Sequence, residues 1–212
     1  GMKNLCLAGG VALNCVANGK LLKENIFEKI WIQPASGDAG SSLGAALLCF
    51  YESSNKIRKV NAYDSMKGTF LGCEFNNHEI ISFLEDINAP FEELKDKELF
   101  EKLAELLDQG KVIGWFNGPM EFGPRALGGR SIIGDPRNQT MQSVMNLKIK
   151  YRESFRPFAP SILEEEVSNQ FDIECKSPYM LLVAKLKKSL CKDMTQAEKN
   201  LFGIDKLNIS RS

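Results

Sequence analysis

Basic residues and glycines concentrate in one stretch of this 212-residue sequence. Between Lys111 and Arg156, eight lysines and arginines face three acidic residues, although the whole chain carries 27 charges of each sign. Arg125 lies within the glycine-rich loop, residues 118–129, and Arg130 follows it directly. Because glycine lets backbone N–H groups approach a ligand, and the arginine fork fits phosphate and carboxylate oxygens, this loop indicates a pocket for a small anion. A solvated basic face is the alternative that the charges alone leave open.

A second basic group follows within residues 150–156. Lys150, Arg152 and Arg156 alternate there with Tyr151 and Phe155. Lysine supplies a compact charge beside a phosphoryl group and arginine supplies two parallel donors, so this group extends the predicted anion pocket. Aromatic residues between cations are also typical of proteins that bind single-stranded nucleic acid. The balanced charge of the whole chain argues against that second interpretation, so we do not expect nucleic acid as a partner.

Two junctions in the first fifty residues have the composition of a nucleotide-binding turn. Gly9 and Gly10 separate an apolar strand from a helix, where free N–H groups favour a phosphate, although ordinary tight β–α turns use the same residues. Asp38 begins the next helix after a strand. It fits either a helix N-cap or a ligand for a metal ion shared with nucleotide phosphates. The residues alone leave both pairs of alternatives open.

Composition argues against several other kinds of site. His78 is the only histidine, so we expect neither a multi-histidine metal site nor a nucleophile paired with histidine. The six cysteines lack C-x-x-C spacing, which favours reduced thiols over a zinc site or disulfides. The longest apolar run, Leu43 to Tyr51, is far shorter than the roughly 18 residues of a membrane span. We therefore expect a soluble, cytoplasmic protein without a membrane partner.

Alternating apolar and polar segments predict an α/β protein. The first part has β-α-β-α order, with strands at 4–8 and 29–33 and helices at 12–25 and 38–52. This alternation predicts parallel strands covered by helices, and two strands alone do not complete a sheet. A polar stretch at residues 56–65 predicts a linker between a first domain, 1–55, and a second domain, 66–212.

The second domain is predicted to combine short strands with longer helices. Two of its helices carry cap residues and span 77–86 and 96–109. Its other predicted elements are strands at 68–72, 111–116, 131–134 and 180–187 and a helix at 140–148.

Four stretches of the sequence resemble the O-carbamoyltransferases of nodulation and antibiotic biosynthesis. They are LAGGVALNCVANGKL (7–21), QPASGDAGSSLGAAL (33–47), MEFGPRALGGRSIIGDPR (120–137) and KYRESFRPFAPSILEE (150–165), with a weaker SPYM at 177–180. The resemblance implies the C-terminal part of an actin-like ATPase domain, of ribonuclease H-like fold, followed by a YrdC-like α/β domain. It also implies that the N-terminal half of the same enzyme lies outside this sequence.

The chemistry that the resemblance implies has two steps. The YrdC-like domain would convert carbamoyl phosphate and ATP to carbamoyl adenylate, and the actin-like domain would pass the carbamoyl group to a substrate hydroxyl. ATP and a divalent metal ion, Mg²⁺ or iron, would serve as cofactors. The partners would be ATP, carbamoyl phosphate, the hydroxyl acceptor and the N-terminal half of the enzyme, with a homodimer as a further expectation.

The resemblance also implies roles for particular residues. Arg125, Lys150 and Arg156 would be the catalytic cations of the adenylate-forming pocket. Asp38 would bind the metal ion of the transfer site. The remaining substrate-binding or ATP-binding residues would be Gly9, Gly10, Asn14, Gly123, Arg130, Ser131 and Arg152.

Two other functions stay open on the sequence. One is a threonylcarbamoyl-adenylate synthase that serves tRNA modification, which would require threonine and bicarbonate. The other is a non-catalytic RNA-binding or regulatory module that uses the basic stretch, which would show salt-sensitive binding of RNA.

Overall fold

A computed structural model describes residues 1–61, 63–203, 205 and 209. Within these residues the chain is a mixed α/β structure with four short strands and seven α-helices, as the alternating pattern predicts. Position 62 of the predicted linker lies outside the described residues. So do positions 204, 206–208 and 210–212 of the predicted second domain.

The first elements follow the predicted β-α-β-α order. They are β1 (Asn4–Leu7), α1 (Cys15–Lys23), β2 (Lys29–Ile32) and α2 (Asp38–Ser54). β1 and β2 pair in parallel, with Asn4 opposite Lys29 and Leu7 opposite Ile32. A 3₁₀ turn, Gly10–Leu13, precedes α1, whose start is later than predicted because the Asn14 side chain caps it and accepts from the N–H of Ala17 over 3.1 Å.

The two capped helices of the second predicted domain are confirmed. They are α3 (Asn77–Asp86) and α4 (Asp96–Asp108). Asn76 and Glu79 form a capping box at α3, since each accepts a hydrogen bond from the backbone N–H of the other. Gly110, with a φ of 75°, follows the end of α4 in the left-handed conformation that glycine favours there.

The remaining elements are short. β3 (Ile113–Phe116) and β4 (Arg130–Ile133) confirm the strands predicted at 111–116 and 131–134, and they pair as a second two-stranded sheet. α5 (Met141–Val144) continues into a π-helical turn, Met145–Ile149, so the predicted helix at 140–148 is confirmed with a widened last turn. α6 (Val167–Gln170) and α7 (Gln196–Asn200) were not predicted, because helices of four or five residues carry too little periodic signal.

Two predicted strands are wrong. Residues 68–72 form a 3₁₀ turn followed by a single β-bridge between Phe70 and Glu121, because the φ angles of Gly68 and Thr69 are 69° and 68° and do not fit an extended strand. Residues 180–187 also contain only one bridge, at Leu186. That segment begins with a left-handed residue, Met180, whose φ is 52°.

The described residues divide into two compact units. Unit 1 comprises Gly1–Phe91, Trp115–Ser131 and Ser177–Val183, and unit 2 comprises Glu92–Gly114, Ile132–Lys176 and the chain from Ala184. Unit 1 contains residues from both sides of the predicted linker, and the domain boundaries of the sequence analysis stay a prediction.

None of the helices in the described part of the chain combines the length and the apolar character needed to cross a bilayer.

Few side chains are fully shielded from solvent. The buried apolar residues of the described chain are Ala12, Ala35, Met66, Met141, Met145 and Leu181. Large apolar side chains on α3 and α4 stay exposed, since Phe83 is 61% and Phe100 57% accessible. The most deeply buried large side chain is polar: it is Asn146, with 0% exposure.

The segment Ser177–Val183, which contains the weaker SPYM match, is fixed to the rest of unit 1 at two points. The amide of the buried Asn18 donates to the carbonyl oxygens of Ala12 (2.8 Å) and Leu181 (3.0 Å). The Tyr179 hydroxyl donates to the Asp64 carboxylate. These bonds make a segment distant in sequence part of the first unit.

Candidate functional site

The candidate site lies at the carboxyl edge of the β1–β2 pair in unit 1. Because the strands are parallel, the turns after Leu7 and Ile32 leave the sheet at the same edge. In α/β proteins, ligands bind outside the carboxyl ends of parallel strands. The turn after β1 carries Gly9 and Gly10, and the turn after β2 is residues 34–37.

The glycine-rich loop lies against both of these turns. An Nη2 of Arg125 donates to the carbonyl oxygen of Leu13 over 3.0 Å, at the end of the first turn. Gly123 lies against the second: a Cβ at this position would be 3.2 Å from the Cα and the Cβ of the fully buried Ala35. Gly123 also has a φ of 136°, which side-chain-bearing residues rarely adopt. Close approach and backbone conformation therefore both require glycine here.

Arg125 has one donor that the protein leaves unused. Its Nε is buried and has no hydrogen-bond partner among the described residues. A buried donor without an acceptor is costly, and one on a charged guanidinium is costlier than most. Arg125 is thus a partly buried cation, held at the strand-end turn, with one donor that no described residue satisfies.

Glu121 organises the interior of the glycine-rich loop. Glu121 is 7% exposed, and its carboxylate accepts from the N–H groups of Leu127 (2.6 Å), Gly129 (2.8 Å) and Arg130 (3.1 Å). Burial acts to raise the pKa of Glu121, but hydrogen bonds from these three N–H groups and from its own backbone N–H outweigh burial and hold that pKa below its ordinary value of 4.5. The backbone donors that the sequence suggested for an external anion are therefore taken, at these three positions, by a carboxylate of the loop itself.

Arg130 is engaged with the backbone of unit 1. Its guanidinium donates to the carbonyl oxygens of Gly129 (2.8 Å), Gly118 (3.0 Å) and Cys73 (3.3 Å), and it lies 3.4 Å from the ring centroid of Phe116. Such a cation shapes the loop through hydrogen bonds and cation–π contact. Next to it, the N–H of Gly128 donates to the hydroxyl oxygen of Ser131 over 3.0 Å.

Asn14 and Asp38 stand at the starts of the two helices that leave the site. The Asn14 side chain caps α1, as described above. Asp38 is exposed and is the first residue of α2, but the cap position belongs to Gly37, so the N-cap interpretation of Asp38 is wrong. A carboxylate in the first turn still interacts favourably with the helix dipole. Among the described residues there is no group of three or more histidine, cysteine, aspartate or glutamate side chains that could hold a metal ion.

The second basic group belongs to unit 2 and is arranged around Asn146. The buried amide of Asn146 donates to the carbonyl oxygens of Ser154 (3.1 Å) and Arg156 (2.8 Å) and accepts from Nε of Arg152 over 2.6 Å. The Arg152 guanidinium also lies 4.8 Å from the ring centroid of Phe158. These contacts fold residues 152–156 around one buried polar side chain.

The two proposed catalytic cations of unit 2 are accessible. Lys150 is exposed, and Arg156 is exposed with its Nε 3.6 Å from a carboxylate oxygen of Glu153. An exposed pair of this kind is weak, so it does not prevent Arg156 from binding an external anion.

Sequence reasoning missed Glu121 and Asn146, the two residues that organise the basic segments. Glu121 carried one signal, since it is the only acidic residue of a loop rich in potential N–H donors. Asn146 carried none, because an asparagine inside a helical pattern is ordinarily a surface residue. The six cysteines are free, as predicted, and five of them are exposed.

Comparison with known families matches two parts of the chain. Residues 1–47 match the family model described as the carbamoyltransferase N-terminus, and residues 104–200 match the model described as the carbamoyltransferase C-terminus. Leu13 lies in the first match and Arg125 in the second. The contact between them therefore joins the two matched parts.

Curated relatives match along nearly the whole chain. An uncharacterized protein of Synechocystis sp. is 58% identical over 214 residues, covering 100% of this chain and 35% of that protein. Nodulation protein NolO of Bradyrhizobium diazoefficiens is 39% identical over 195 residues, covering 89% of this chain and 34% of that protein. Nodulation protein U of Rhizobium tropici is 33% identical over 213 residues, covering 100% of this chain and 34% of that protein. The chain thus spans about a third of the length of the curated relatives it matches.

Proposed function

This chain belongs to the carbamoyltransferase family, and on that premise we propose that it forms part of an ATP-dependent carbamoyltransferase. The observation that carries the proposal is the bond from Arg125 to Leu13 together with the buried, unpaired Nε of Arg125. It supports an anion-binding position where both family-matched parts contribute residues.

The proposed architecture follows the resemblance. Residues 1–55 would be the end of an actin-like domain of ribonuclease H-like fold, and residues 66–212 would belong to a YrdC-like domain. The parallel β1–β2 pair supports the first assignment, since two strands with open edges need further strands to form a sheet. We further propose a cytoplasmic location, which the six free thiols support.

The proposed first reaction is the formation of carbamoyl adenylate. Carbamoyl phosphate, ATP and one water give carbamoyl adenylate, orthophosphate and pyrophosphate. Water cleaves the C–O–P link of carbamoyl phosphate and releases orthophosphate. A carbamate oxygen then bonds to the α-phosphorus of ATP as the bond from that phosphorus to the pyrophosphate oxygen breaks. In the second reaction an acceptor hydroxyl takes the carbamoyl group, and AMP leaves. No covalent link to the protein is needed in these two reactions.

The residues of the chain would act by fixed charge. Both substrates of the first step are phosphates, and negative charge moves onto the leaving pyrophosphate as the bond breaks. Arg125 would donate to these oxygens through its guanidinium group. The roles of Lys150 and Arg156 as catalytic cations follow from the family resemblance alone. Gly9 and Gly10 would leave room for the nucleotide beside the turn after β1. Arg130 and Arg152 would hold the basic segments in shape, since their guanidinium groups are already engaged.

A metal site does not follow from the described residues. Asp38 is a single carboxylate, and a divalent ion bound to protein oxygens takes several ligands. Asp38 alone therefore does not fit a metal ion, and no step is derived through one. Its metal-ligand role is a proposal that requires further ligands from outside this chain.

The proposed function is tested by pyrophosphate exchange with the intact protein. Labelled pyrophosphate should enter ATP when carbamoyl phosphate is present and should not enter ATP when it is absent. Exchange that depends instead on threonine and bicarbonate would identify a threonylcarbamoyl-adenylate synthase and would overturn the proposal. Absence of exchange under both conditions would overturn adenylate formation altogether.

A further inference from the structure

We propose that Glu121 is a positioning residue for Arg125, because it ties both ends of the loop segment that carries Arg125. The inference rests on the proposed function for its catalytic consequence, but its structural content stands on the geometry of unit 1.

The first end of the segment is fixed through the backbone around Glu121. Glu121 forms a β-bridge with Phe70. On either side of it, the N–H of Met120 donates to the carbonyl oxygen of Cys73 over 2.9 Å, and the N–H of Phe122 donates to that of Thr69 over 2.6 Å. The backbone at 120–122 is thus held against residues 69–73.

The second end is fixed through the Glu121 side chain. Its carboxylate accepts from the N–H groups of Leu127 and Gly129 and from that of Arg130. Residues 122–126, which include Arg125, therefore form a short loop whose two ends are both held by Glu121. This second end requires glycine at position 129, because a Cβ there would lie 2.9 Å from Oε2 of Glu121 and 2.7 Å from the carbonyl oxygen of Pro119.

A carboxylate suits this position better than a neutral side chain. Three N–H groups converge on two oxygens, and hydrogen bonds to an ionised acceptor are stronger than those between neutral groups. Glutamine would keep the length of the side chain but would turn an NH₂ group toward at least one of these donors. Glu121→Gln should therefore make the loop at residues 122–126 more mobile and move the Arg125 guanidinium away from the carbonyl oxygen of Leu13.

A double-mutant cycle on the exchange rate of the intact protein tests the inference. Misplacement of a catalytic group by about 1 Å costs up to about 100-fold in rate, so E121Q should lower exchange by roughly 10- to 100-fold. Arg125→Lys keeps the charge but removes the guanidinium. In that background E121Q should cause little further loss of the exchange rate, because the group that Glu121 positions is already gone. Glu79→Gln is the matched control, since Glu79 also accepts a backbone N–H but caps α3; it should leave the rate within about twofold.

Two results would overturn the inference. One is a wild-type rate in E121Q. The other is a full additional loss when E121Q is combined with R125K, which is what general unfolding of the variant would also give. Because a purely structural glutamate lowers the rate in either background, the coupling to Arg125 separates the two roles.

A ligand-free measurement separates this inference from the proposed function. The Nε–H signal of Arg125 in a ¹H–¹⁵N spectrum is identified by its loss in R125K. E121Q should shift that signal and speed its exchange with water, and E79Q should not. If the wild type shows no pyrophosphate exchange but E121Q moves the signal, the proposed function fails and the positioning role stands. An unmoved signal in E121Q refutes the positioning role whatever the activity.

Discussion

The guanidinium of Arg125 donates to the carbonyl oxygen of Leu13 over 3.0 Å, although 112 positions separate the two residues in the chain. The bond joins the glycine-rich loop to the turn after β1, and both residues belong to the same compact unit, although each lies in a different family-matched part. It gives the loop a fixed position at the carboxyl edge of a parallel pair of strands, where α/β proteins bind their ligands.

Gly123→Ala should loosen the loop where it lies against the turn after β2. The new Cβ meets Ala35 at 3.2 Å, and the φ of 136° is strained for alanine, at about 1–3 kcal/mol. Hydrogen exchange at the Leu127 and Gly129 amides should report a lower free energy of opening by that amount. Gly114→Ala is the matched control, because a Cβ there meets nothing within 4 Å. Equal protection in both variants would contradict the close packing of Gly123.

Asn146→Ala should destabilise the second basic group. It leaves two carbonyl oxygens and the Nε of Arg152 without their partner at a fully buried position, at a cost of about 2–4 kcal/mol. Hydrogen exchange at the Arg152 amide, which donates to the Asn146 carbonyl oxygen over 3.0 Å, measures the loss locally. Asn169→Ala, at an exposed position, is the control: it should change the free energy of opening at the Arg152 amide by less than about 0.5 kcal/mol. An unchanged Arg152 amide in N146A would show that Asn146 does not organise this segment.

The phenol of Tyr179 should lose its proton at a higher pH than an ordinary tyrosine. Burial and the hydrogen bond to Asp64 raise the pKa of its phenol from 10.0 to about 12. The folded state therefore keeps a proton that the unfolded chain loses, so this contribution to stability is complete below pH 10 and is lost as the pH rises toward 12. A ¹³C titration of the tyrosine rings should show one phenol near pH 12 that disappears in Tyr179→Phe and moves down in Asp64→Asn. The exposed Tyr63→Phe is the control, and a Tyr179 phenol that titrates near pH 10 would contradict the contact.

The local elements were predictable because their signals are local. The β-α-β-α order and the capped helices α3 and α4 follow from apolar periodicity and from Asn and Gly at helix ends. The strand predicted at residues 68–72 failed because its apolar residues pack as a turn around Gly68 and Thr69, whose left-handed φ angles no periodicity reveals. The strand predicted at 180–187 failed because the chain leaves unit 1 for unit 2 after Val183.

The site was predictable in composition but not in its connections. Arg125, Arg130 and the glycines were identified as an anion site from residue types, and the structure gives them different tasks: Arg125 keeps a free donor, and Arg130 is occupied by backbone carbonyls. That division depends on contacts between segments far apart in sequence. The same holds for Glu121, whose partners are backbone N–H groups that every residue possesses.

Pyrophosphate exchange by the Arg125→Ala variant of the intact protein tests the central claim most directly. The account predicts a loss of about 10²- to 10⁴-fold in the carbamoyl-phosphate-dependent rate, the range found when a fixed electrostatic donor is removed. Arg58→Ala, which removes an exposed arginine from the predicted linker, should exchange at the wild-type rate. Equal rates in R125A and R58A would contradict the claim that Arg125 serves the reacting phosphates.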